Sequence, residues 1–110
     1  MAVYFLTAQP QALLADFKKK IDQGHVVTWS YDQEGDFTHT ADQWKYMAWL
    51  RPSVESDKLT LYILKNSKQI LTPALYGIYH GRFIESVVTH CDKLFTTGIA
   101  TAMPVPGDQV

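Results

Sequence analysis

The stretch from Thr72 to Cys91 constrains the fold more than any other part of the chain. Thr72-Pro73 has the chemistry of a helix start: a threonine hydroxyl accepts from an orphaned backbone N–H, and proline lacks the N–H that would go unpaired in the first turn. A helix over Ala74 to Cys91 is therefore predicted. Leu75-Tyr76-Gly77-Ile78-Tyr79 taken alone also suits a strand, and Gly77 and Gly81 each weaken a helix by about 1 kcal/mol. The length of the apolar pattern decides for helix. At about 100° per residue, Leu75, Tyr76, Tyr79, Phe83, Ile84, Val87, Val88 and Cys91 sweep roughly 220° of its circumference. A helix lying on a sheet shows a stripe of only about 100° or somewhat more, so this one is expected to be covered on two sides.

The remaining segments supply little to cover it. Val3 to Thr7 is β-branched and aromatic and reads as a strand; Pro10 then opens a helix in which Leu13, Leu14, Phe17 and Ile21 recur at helical spacing. Lys18, Lys19 and Lys20 suit the negative end of its dipole, and Gly24 is the expected C-cap. His25 to Asp32 reads as a strand with Val27, Trp29 and Tyr31 on one face. Thr40 and Gln43 have capping-box spacing, so Ala41 to Trp44 is expected to make a single helical turn. Lys45 to Arg51 is the next strand, apolar on both faces at Tyr46 to Leu50 and expected to stop at Pro52. Leu59 to Lys65 and Leu94 to Met103 complete the set. The order β-α-β-β-β-α-β predicts an α+β fold: a two-layer, mostly antiparallel sheet of about five strands with two helices on one face. With 110 residues, 46% of them hydrophobic and 19% charged, a single domain over residues 1–103 is expected, followed by a flexible tail over 104–110.

Charge and cysteine content narrow the function classes. Ten basic and eleven acidic residues give a net charge of -1, which disfavours nucleic-acid binding even though Lys18 to Lys20 and exposed aromatics offer a local footing for it. The lone Cys91 fits a reducing compartment. No basic leader precedes the short apolar start, and no segment reaches the roughly 20 apolar residues of a membrane span. A cytoplasmic location, away from membranes, is the expectation.

Few residues have the pattern of a reactive site. Asp32, Glu34 and Asp36 alternate across a turn, but the calcium-loop spacing fails because Gln43 stands where the final acid belongs. No paired-Cys or His-Glu-x-x-His spacing exists, so neither a metal nor a cofactor is expected. Cys91 beside Val87 and Val88 lies where a thiol is held protonated. His80 and His90 are roughly 15 Å apart along the helix axis and cannot share an ion. Two polar clusters remain. One is the loop Asp36 to Trp44, where Asp36, His39 and Trp44 lie near Arg51. The other surrounds His80 and Arg82.

The expected function is a non-enzymatic protein-protein interaction or regulatory module. It is expected to act as a homodimer through Tyr76, Tyr79, Phe83, Ile84 and Val88, the surplus apolar face of the second helix, with another protein as a further partner. The alternative is an enzyme or small-ligand binder using one of the two polar clusters. Nucleic-acid binding comes third.

Overall fold

The computed structural model describes residues 1–110. Its elements, in order, are β1 (Ala2–Leu6), α1 (Pro10–Asp22), β2 (Trp29–Tyr31), β3 (Phe37–His39), β4 (Ala48–Val54), β5 (Lys58–Lys65), α2 (Pro73–Cys91) and β6 (Thr97–Ala100), with a 3-10 turn at Asp92–Leu94. The sheet is antiparallel throughout and runs β2-β3-β4-β5-β1-β6. The fold is α+β, with both helices on one face of a single sheet.

Local chemistry accounts for the helix ends. Thr72 Oγ1 accepts from Leu75 N at 3.2 Å, and Pro73 occupies the first turn of α2. At the end of α1, Gly24 takes φ +78°, which lets His25 N–H reach back to the Lys20 carbonyl at 2.9 Å and close the helix.

One aromatic cluster holds the layers together. Phe83 of α2 lies 5.0 to 6.1 Å, ring to ring, from Trp29, Phe17, Phe37 and Phe5. These rings come from β2, α1, β3 and β1, so one helical side chain ties four elements into a common core. Val3, Leu50, Leu61 and Ile63 complete the floor beneath the helices.

Three strand expectations are corrected. His25 to Thr28 stays outside the sheet, with Val27 exposed, and β2 begins only at Trp29. Phe37–His39, expected as loop, is a sixth strand paired with β2. Pro52 lies inside β4 opposite Leu61 and does not end it. The reason is local: β3 pairs with β4 only at Phe37 and Leu50, so β4 has an open side beyond that point where a missing N–H breaks no ladder.

Residues 104–110, expected to trail loosely, lie against β5. Gln109 continues the sheet beside Leu64: its N–H reaches the Ile63 carbonyl at 2.9 Å, and its carbonyl takes Lys65 N–H at 2.8 Å. The Asp108 carboxylate accepts from Ile63 N and Val105 N at 3.2 and 2.9 Å and pairs with the Met1 ammonium at 3.1 Å. Gly107, at φ +112°, presses on Tyr62 so closely that a Cβ there would fall 2.6 Å from the ring.

Candidate functional site

The first polar cluster is built into the fold. Asp36 is 3% exposed and receives both arms of Arg51, Nε on Oδ1 at 2.9 Å and Nη2 on Oδ2 at 2.7 Å. That fork holds the β2–β3 turn to β4 and holds the guanidinium firmly charged. Asp32, Glu34 and Asp36 do gather their oxygens, but Arg51 stands among them, also 3.6 Å from Glu34, and supplies the positive charge a cation would bring.

His39 is 2% exposed and packs edge-on against Trp29 at 5.1 Å. Its Nδ1 accepts from Ala41 N–H at 3.0 Å, which assigns the ring proton to Nε2, and Nε2 has no hydrogen-bond partner. Burial lowers its pKa, and the field of Arg82 lowers it further, so the ring stays neutral. The following loop closes the expected single turn through Lys45 N to the Ala41 carbonyl at 2.8 Å, but without the capping box: the Thr40 hydroxyl donates to the Val27 carbonyl at 2.7 Å and its N–H to the Thr28 carbonyl at 2.9 Å. Tyr46 then takes φ +61°, unusual outside glycine, and is fixed on both sides: its N–H donates to Thr38 Oγ1 at 3.1 Å, and its carbonyl accepts from Asn66 Nδ2 at 2.8 Å. Trp44 contributes its carbonyl to the Tyr79 hydroxyl, while its indole N–H is buried without a partner. The structure brings Asp36 and Arg51 together, and it brings His39 against Trp29 and Tyr79. It makes no cavity there.

The second cluster divides. Tyr79 and Phe83 are 0% and 1% exposed, so they belong to the core of one chain and to no outer surface. Tyr76 and Ile84 are half-buried, and Val88 is 46% exposed. The wide apolar arc of α2 is therefore largely wrapped within the subunit, by α1 on one flank and the sheet beneath. Arg82 is exposed, on the side of α2 turned from the sheet. Cys91 is buried beside Asp16; burial, reinforced by that carboxylate, pushes its thiol up to about 12, where it is not a nucleophile.

What remains open lies between α2 and β6. Tyr76, Gly77, His80 and Gly81 on the helix and residues 100–102 at the end of β6 line a pocket of about 290 Å³. Nothing lies within 4 Å of where a Cβ would stand on Gly77 or Gly81, so bare helix backbone forms one wall. His80 is 3% exposed; its Nδ1–H donates to the Tyr76 carbonyl, and its Nε2 is buried without a partner.

β6 itself is the last strand of the sheet. Thr101 N–H donates to the Ala2 carbonyl at 2.9 Å. By antiparallel alternation Thr97 and Ile99 also face β1, and Gly98 and Ala100 turn their N–H and C=O groups to the free edge. Gly98 lies under Ile84 and Phe5, where a Cβ would be 3.3 Å from each; Ile99 points to the opposite face and is 40% exposed.

Sequence reasoning singled out His80, Tyr76, Ile84 and Val88 but missed Ala100, Thr101, Ala102 and the β6 edge. The Gly77/Gly81 spacing was the available signal. No family model matches the chain, and no curated protein or solved structure matches it either.

Proposed function

We propose that the protein is a non-enzymatic interaction module that works as a homodimer, joining the β6 edges of two copies about a two-fold axis. The carrying observation is the β6 edge itself, unpaired and without a charged residue from Thr96 to Met103. Monomeric sheets blunt their edges with short strands, lysine or proline; Thr97–Ala100 is short but carries neither lysine nor proline.

A second copy is the natural occupant because an antiparallel edge is its own complement. A two-fold axis beside β6 sets the free N–H and C=O groups of Gly98 and Ala100 against the same groups of the partner. The same axis brings the two α2 helices side by side on one face of a continuous sheet. There the bare backbone at Gly77 and Gly81 permits close approach, and Ile84 and Val88 add apolar area. The polar residues that suggested chemistry on the 36–44 loop are occupied by Arg51, Ala41 and Tyr79, which supports a binding role over a catalytic one.

Amide exchange tests this reading. The N–H groups of Gly98 and Ala100 are expected to exchange more slowly as concentration rises from micromolar to millimolar, and Ile99→Lys is expected to abolish that dependence. Solvent-like exchange of both amides at every concentration would refute the pairing.

A further inference from the structure

The pocket between α2 and β6 shares Gly77, Gly81 and Ala100 with the proposed dimer seam, so it is open in the free subunit and a ligand there competes with self-association. Two of its walls are nearly featureless: bare backbone at Gly77 and Gly81, and the small residues Ala100 and Ala102. A third is the half-buried Tyr76 ring, which stands perpendicular to the His80 imidazole with centroids 5.7 Å apart. At about 290 Å³ the space is at the small end for ligand sites and suits a molecule with one ring.

His80 sets the polarity. A carbonyl only accepts, so the contact with Tyr76 places a proton on Nδ1, and in that tautomer Nε2 is a lone-pair acceptor. That acceptor is buried and unsatisfied on a ring that is 3% exposed. A buried acceptor without a donor is a standing cost, removed by any group that enters and donates. An anion is disfavoured, because the His80 Nδ1–H is already directed to the Tyr76 carbonyl and Arg82 does not line the pocket. A metal ion is disfavoured too, because no other imidazole, thiol or carboxylate lines the pocket with His80.

We propose that this pocket binds a small, single-ring apolar molecule bearing one O–H or N–H donor, with the donor directed to His80 Nε2 and the ring laid along the Gly77/Gly81 backbone. Nε2 is sealed from solvent in the free chain, so entry of the donor requires the Tyr76 ring to turn aside while the Nδ1 contact is kept.

Phenol is the probe and toluene its donorless control, followed by long-range proton–nitrogen NMR of the histidine rings. Phenol is expected to bind saturably, to move the His80 Nε2 resonance while leaving that of His39 in place, and to bind about tenfold more tightly than toluene. In His80→Phe that preference is expected to vanish. Should that variant fail to fold, Gly81→Leu serves: its side chain grows into open space from an exposed helical position, so the fold is retained and phenol binding is lost. Ile99→Lys, on the opposite face of the sheet, is expected to bind phenol at least as tightly as the parent, and more tightly where the parent self-associates over the pocket. The proposal is overturned by equal affinity for phenol and toluene, by an unmoved His80 Nε2 at saturation, by undiminished binding in Gly81→Leu, by loss of binding in Ile99→Lys, or by no saturable binding at all.

Discussion

The two outer strands of the sheet are finished in opposite ways. β2 has three residues and is clothed by its neighbours: the Tyr31 hydroxyl donates to Asp22 at 2.6 Å, Lys18 sits 5.2 Å over the Tyr31 ring, and Trp29 is 1% exposed beneath α2. β6 has four residues, no charge, a free row of backbone groups and an exposed isoleucine. An edge anchored inward by an indole and guarded by charges is poorly suited to pairing with another chain. An edge made of glycine, alanine and threonine beside a glycine-faced helix is suited to it. The histidines follow the same division. His39, near β2, presents Nε2–H among aromatic rings, whereas His80, near β6, presents an unprotonated Nε2 beside a pocket.

The contrast breaks first at Trp29. Trp29→Ala should remove about 3 to 5 kcal/mol of stability in urea unfolding, since it empties a site bounded by Phe83, Tyr79 and His39. Ile99→Ala on the other edge should change the stability of the isolated chain by no more than about 0.5 kcal/mol. Comparable losses at the two positions would mean that β6 is also an interior-anchored strand.

A smaller effect is expected at the turn behind β2. Arg51→Met strands the Asp36 carboxylate, whose side chain is 4% exposed, yet 42% of the Arg51 side chain is open to water, so solvent screens the pair. The expected loss is about 1 to 2 kcal/mol at neutral pH, and Asp36→Asn added to Arg51→Met should recover part of it. An unchanged midpoint would show that the fork does not hold the turn.

The smallest expected effects differ in sign. Gly81→Ala should raise stability by about 1 kcal/mol, because the added methyl meets nothing and the helix gains propensity. Gly98→Ala should lower it, because the methyl meets Ile84 and Phe5 at 3.3 Å. Thermal melts of both variants separate an open glycine face on α2 from a packed one on β6.

Much of the fold was legible because short-range chemistry dictates it. Thr72-Pro73, Gly24, the α1 periodicity and the Leu59–Lys65 alternation each specify an element without help from distant residues. β3 was illegible because Thr38 and His39 are polar but buried: Thr38 Oγ1 reaches the Ala48 carbonyl at 3.0 Å, and His39 lies among rings. Nothing in the chain near them announces those partners. Pro52 misled for a related reason, since whether a strand tolerates proline depends on which side its neighbour occupies.

The site was legible only in part. The excess girth of α2 was real, but Trp29, Phe37 and α1 cover most of it, so Tyr79 and Phe83 went to the core. That β6 is an edge depends on strand order, which local sequence does not encode.

Sedimentation equilibrium at tens of micromolar protein tests self-association through β6 most directly. The chain is expected to sediment as a dimer, and a variant combining Ile99→Lys with Val88→Lys as a folded monomer. A parent chain that remains monomeric throughout that range, or a dimer that both lysines leave intact, would contradict it.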